Sequence, residues 1–170
     1  LLGYLVTYVT QQGVVEQRLR GFNAIAQLFG ADPIPVWKAI GWLFYNAHLV
    51  ETRIPGFGGP RTVNFIADAQ AGSVPVLYLL PPVVLLGAGA VVALIAGMDA
   101  PGVGAGAGAL VALGYLPLAL VGALVVGYHV GDGQVAPDLV TAVALAGVLY
   151  PAVFGGGGGA LVGAFSDRGS

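Results

Sequence analysis

The chain contains no cysteine, one methionine and three serines, and only 14 of its 170 residues are charged, 6 basic and 8 acidic. Without cysteine there is no disulfide framework, no thiol nucleophile and no Cys-ligated zinc or iron–sulfur cluster. Ser73, Ser166 and Ser170 all lie outside any G-x-S-x-G elbow, which leaves an enzyme reading little to stand on. A formal net charge of −2 with scattered arginines offers no basic stripe for nucleic acid. Charge makes up 8 % of the chain, against roughly 25 % in a soluble domain. That is too little to clothe the water-facing surface of a domain this long. No Asp, Glu, Lys or Arg occurs from Ala69 to Met98, from Ala100 to Gly131 or from Leu139 to Ser166. Each gap exceeds the ~20 residues that cross ~30 Å of hydrocarbon as a helix.

What is present points the same way. Apolar residues reach 57 %, glycine alone supplies 29 positions and mean hydropathy is +0.88. The expected fold is all-α: a multi-spanning helical bundle in the cell membrane, with the lipid bilayer as its first partner. Residues 1–12 open at Leu1 inside an apolar run too short to cross, and read as the end of a truncated N-terminal transmembrane helix, with a buried stub as the alternative. Residues 13–68 carry 9 of the 14 charges and read as amphipathic helices at the membrane surface. Complete spans are expected over 73–98, 102–128 and 138–165.

Within residues 13–68, Val15, Leu19, Phe22, Ala26 and Phe29 recur at steps of 4, 3, 4 and 3, one face of an amphipathic helix that Gly30 ends. A second helix over about 35–52 places Val36, Ile40, Leu43, Ala47 and Val50 on one face and also holds Trp37, Trp42 and Tyr45. Such rings are enriched at the headgroup level, so Phe22, Trp37, Trp42, Tyr45 and His48 are candidates for an interfacial or docking surface. Packing against the ends of the spans is the alternative. His48, beside Asn46 and Glu51, reads as part of a solvated face. Residues 54–61 read as a Gly/Pro loop. Asp138 supplies a carboxylate to the first turn of the third span, and Ser73 could cap the first. Arg18, Arg20, Lys38, Arg53 and Arg61 all fall in residues 13–72, whereas the turns at Asp99 and Asp132 carry no Lys or Arg and the C-terminus only Arg168. The positive-inside rule places that long segment in the cytoplasm.

A Tyr-then-Pro-then-Gly pattern recurs in the three spans. Tyr78 leads to Pro81, Tyr115 to Pro117, and Tyr150 to Pro151 and the run Gly155–Gly159. Proline kinks a helix, and repeated breaks point to transporter sites, although proline and glycine are common in membrane helices generally. Small residues four apart, such as Gly102 with Gly106 or Gly104 with Gly108, allow close helix approach. The same stretch has neither phosphate-loop nor dinucleotide spacing, so no cofactor is expected. His129 with Asp132 offers two metal ligands and no evident third.

Five Arg to one Lys, and six Asp to two Glu, look like a protein of a salt-loving archaeon. The stretch Trp42-Leu-Phe-Tyr-Asn-Ala-His48 followed by Glu51-Thr-Arg53-Ile-Pro55 resembles a group of uncharacterised haloarchaeal multi-spanning membrane proteins. The resemblance implies membrane location and no settled activity. Two functions remain: a non-catalytic subunit forming homo- or hetero-oligomers through its Gly-rich faces, or a channel or carrier using the Pro/Gly-broken spans. Packing or pathway candidates are Gly102, Gly106, Gly155, Gly157, Gly159, Tyr78, Tyr115, Tyr150, Pro81, Pro117 and Pro151.

Overall fold

The computed structural model describes residues 1–28, 32–56, 58–69, 74–130 and 133–166. Helix α1 covers Leu2–Leu28 and α2 covers Val36–Ala47. Three further helices are long and apolar enough to cross a membrane: α3 (Pro75–Ile95), α4 (Pro101–Val125) and α5 (Leu139–Ser166). Strands β1 (Thr52–Ile54), β2 (Arg61–Val63), β3 (Tyr128–Val130) and β4 (Gly133–Pro137) pair antiparallel in the order β2-β1-β4-β3. The fold is therefore mostly helical but not all-α.

The long helices depart from regularity where their sequences require it. The chain enters α3 through a tight 3₁₀ segment, Val74–Leu79, and Pro81 and Pro82 follow in the first turn of its regular part. Proline there breaks nothing, because the first turn has no intrahelical partners for its N–H groups. In α4 a tight turn at Leu110 closes the Gly-rich first half, ahead of Pro117. In α5 wide π-turns run over Ala142–Leu149 and Pro151–Gly155. The Tyr150 N–H reaches back five residues to the Leu145 carbonyl, and Pro151 has no N–H with which to resume the regular ladder. Asp138 caps α5, its carboxylate accepting from the Thr141 N–H at 2.9 Å. The proposed cap Ser73 and the segment Gly131–Asp132 lie outside the described residues.

Glycine sets how closely these helices approach. A Cβ on Gly104 would run into the Gly159 carbonyl, one on Gly108 into that of Gly155, and one on Gly163 into that of Ala100, so α4 and α5 touch backbone to backbone. A Cβ on Gly89 of α3 would also land on the Gly155 carbonyl, and one on Gly158 on that of Leu86. Gly155 thus sits where all three helices meet. Leu85 of α3 apart, the best-buried large aliphatic side chains, Ile40, Val50 and Ile66 among them, belong instead to a core around α2.

Helix α1 departs from the expected division at residues 12 and 13 by running through it unbroken. Thr7 and Thr10 turn their hydroxyls back onto the carbonyls of Gly3 and Val6, at 2.9 and 2.8 Å, which lets polar residues sit in a helix. The buried stripe is Gly3, Thr7, Gln11 and Val15, at steps of four. Phe22, expected on the apolar face, is 52 % exposed. Phe29 and Gly30 lie outside the described residues.

Helix α2 is not a surface helix with one face in lipid. It is buried along Ala39–Ala47, between α1 on one side and the second half of α4 on the other. Gly41 lies so close to Val126 that a Cβ would collide with that side chain. Trp42 donates to the Val126 carbonyl at 3.0 Å, and Lys38 donates to that of Gly127. The supposed Gly/Pro loop contributes strands at both its ends, with Thr52 opposite Val63 in β2 and opposite Pro137 in β4. This pairing, reinforced by an Arg53–Asp138 ion pair, holds the Arg-bearing segment and the α4–α5 connection at one end of the bundle.

Candidate functional site: a buried polar centre

The turn that ends α2 carries polar side chains into the bundle. His48 and Asn46 have no exposed surface, and neither does Thr52. Leu49 adopts the left-handed conformation, φ 60°. The Leu49 N–H bonds the Asn46 carbonyl and the Val50 N–H that of Tyr45, which closes the helix as a Schellman turn. The turn points His48 inward.

The His48 ring has a defined hydrogen-bond arrangement. Its Nδ1 lies 2.8 Å from the Phe44 carbonyl, which can only accept, so Nδ1 carries the proton. Nε2, 3.0 Å from the Tyr115 hydroxyl, then accepts from it. The ring also packs against Phe44 and Tyr150, with centroids 4.7 and 5.2 Å away. Burial pushes the imidazole down to about 4, so it is neutral near pH 7.

Asn46 and Asn64 complete the centre. The Asn46 amide donates to the Val50 carbonyl at 2.8 Å and to Thr52 Oγ1 at 3.2 Å, and accepts from the Phe65 N–H at 2.9 Å. Asn64 Oδ1 accepts from the N–H groups of Ile66 and Ala67 and from the Tyr78 hydroxyl, each at 3.1 Å. The three tyrosines of the repeat, one from each long helix, therefore converge on the segment between α2 and α3. Among the described residues no fully buried side-chain nitrogen or oxygen lacks a partner, as a polar centre in a low-dielectric interior requires. Nearby, Tyr45 donates to the Ala119 carbonyl, and burial raises its hydroxyl well above the usual tyrosine range.

The other candidates are dispersed. Trp42 and Tyr45 are buried with His48, which removes all three from a docking surface, while Phe22 and Trp37 remain exposed. The reason is that α2 has neighbours on both sides. Pro81 and Pro151 are buried, and Pro117 faces outward. Gly155 and Gly159 form the helix contact. Gly157 has open neighbours, the nearest atom to its Cβ position being Leu86 Cδ2 at 3.4 Å. Gly102 and Gly106 face outward with nothing within 4 Å. His129 is exposed on β3, and its suggested partner Asp132 lies outside the described residues. Asn64 was not among the residues singled out by sequence; its one local signal is its place before a turn, where Asn commonly bonds its own backbone.

No curated protein and no solved structure matches this chain. A family model does, over residues 1–166. The fold, with its three tyrosines gathered on one histidine and one asparagine, is thus that of a chain belonging to a family of unknown function, DUF7978.

Proposed function

We propose that the chain is a non-catalytic subunit of the cell membrane of a salt-loving archaeon, one that closes its own bundle and offers a face of α4 to another membrane chain. The observation that carries the reading is how the glycines divide. Gly104 and Gly108 are filled by α5, whereas Gly102 and Gly106, also four apart, stand open on an apolar outer face. Paired small residues on a lipid-facing helix let a second helix approach closely. The five cations of residues 13–72 include Arg53 and Arg61 on the sheet and Lys38 beside β3, which supports a cytoplasmic sheet end. Cross-linking of a Leu110→Cys variant in native membranes tests the assembly. A dimer-sized product, or a product with a second chain, is expected, and Gly106→Leu should abolish it while Gly87→Leu does not. A chain that stays single at native expression sinks the proposal.

The polar centre favours a second reading, a carrier or channel. An ionisable side chain at membrane depth marks a functional site by default, and π-turns cluster at such sites. His48 lies against Tyr115 of α4 and Tyr150 of the π-turned stretch of α5. Proton flux into vesicles holding a pH dye separates the readings. A carrier should lose flux with His48→Gln and Tyr115→Phe, and vesicles no leakier than protein-free ones would exclude proton carriage.

A further inference from the structure

Between α1 and α2 lies a groove of about 260 Å³, walled by Val15 and Leu19 on one side, Ala39 and Leu43 on the other, and Phe65 behind. Two polar residues of α1 line it seven positions apart, Gln11 and Arg18, which is about 10 Å along one helix face. Gln11 is only 6 % exposed, and its side-chain amide makes no hydrogen bond among the described residues. The amide opens onto the groove, where its donor and acceptor are available to whatever fills it. Arg18 has no carboxylate partner among the described residues, since the ion pairs there are Arg20 with Glu16 and Arg53 with Asp138.

The position of the groove identifies what could fill it. Trp42, on its wall, donates to the Val126 carbonyl at the end of α4. Further along α1, Asn23 exchanges hydrogen bonds with the backbone of Ile34, and the Asp32 carbonyl accepts from Tyr128 beyond that end. Arg18 therefore lies at the level of the bundle's end and Gln11 deeper. An apolar slot running inward from a guanidinium without a carboxylate partner among the described residues, at the end of helices long enough to span, matches an anionic lipid in charge and polarity. We propose that this groove binds one anionic phospholipid, with the headgroup phosphate on Arg18, an acyl chain along Leu19, Leu43 and Phe65, and the oxygens linking chain to headgroup within reach of the Gln11 amide. The inference does not depend on whether Gly102 and Gly106 have a partner.

The chain has two tryptophans, so Trp37→Phe leaves Trp42 as the sole reporter on the groove wall. In detergent, titration with phosphatidylglycerol brominated in its chains should quench Trp42 saturably, and brominated phosphatidylcholine should do so only at higher concentration. Arg18→Gln should weaken the phosphatidylglycerol response about tenfold, the order one charge-assisted hydrogen bond supplies, with Arg18→Lys recovering part of it. Gln11→Leu should weaken both lipids alike, and its thermal midpoint in lipid-free detergent shows whether the fold survives. Equal quenching by the two lipids, or no change with Arg18→Gln, would overturn the proposal. So would relief of quenching by millimolar inorganic phosphate, which would make the site one for a free anion.

Discussion

Leu49 holds a left-handed conformation that favours glycine, with its side chain largely in the open. Leu49→Gly should therefore raise stability by about 1 kcal/mol, read as a higher thermal midpoint in detergent. One residue earlier the turn sets the state of His48, and with it a dependence on pH. The folded imidazole titrates at about 4 against 6.5 when unfolded. As pH falls through 6.5 the unfolded chain takes up a proton that the folded chain refuses until about 4, so stability drops across that window and is level above it. The loss is of order 3 kcal/mol, and His48→Gln should remove the slope. Asp138, whose folded carboxyl is held below its usual value first by the Thr141 N–H, acts in a different range. Its contribution is present above 3.8 and is lost as pH falls through its lower folded value. Melting curves from pH 7.5 to 4.5 should show this loss in the native chain and not in His48→Gln. Little of this was legible in sequence, because a histidine at a helix end reads as solvated until its neighbours are known.

Among the elements, α5 coincides with the charge-free stretch from Leu139 to Ser166, but sequence does not sort its glycines. All five of Gly155–Gly159 disfavour a helix equally, by roughly 1 kcal/mol each relative to alanine. Only contact with α3 and α4 separates the positions that need hydrogen from those that do not. Gly159→Ala should destabilise the bundle by about 1–3 kcal/mol, since its Cβ would strike the Gly104 backbone. Gly157→Ala should be neutral or stabilising, because Leu86 Cδ2 at 3.4 Å leaves ordinary contact room. Unfolding titrations in mixed detergent distinguish the two, and equal effects would mean the helices do not meet as described. Helix α1 hides its continuity for the opposite reason. Thr10, Gln11 and Gln12 resemble a terminus, yet Thr10 bonds its own helix and Gln11 packs inward.

For the molecule as a whole, β1 and β4 join segments more than eighty residues apart. Absence of native cysteine makes the resulting geometry testable by labelling. Arg61→Cys and Gln134→Cys, both on the sheet, should react from the same side of the membrane, and Ala100→Cys, at the start of α4, from the other. If Arg61 and Gln134 label from opposite sides, the sheet does not form in the membrane. In intact cells the cytoplasmic assignment further requires that external reagent reach Ala100 alone.

Composition and spacing were enough for three long apolar helices, since a charge-free stretch of that length has few other stable states. The apolar period of α2 is legible in sequence, but its burial is not: Ile40, Leu43, Ala47 and Val50 are buried, Val36 is half-buried, and Trp42, Tyr45 and Asn46 off that face are buried as well. The sheet is not legible either, because Thr52–Ile54 and Arg61–Val63 are three residues each and alternate too briefly to mark a strand. Their hydrogen bonds come from partners distant in the chain. Tertiary structure likewise decided which face of α1 is buried, which glycines touch backbone, and that Tyr78, Tyr115 and Tyr150 meet at Asn64 and His48. Local pattern reports the helix, but burial depends on what the rest of the chain brings against it.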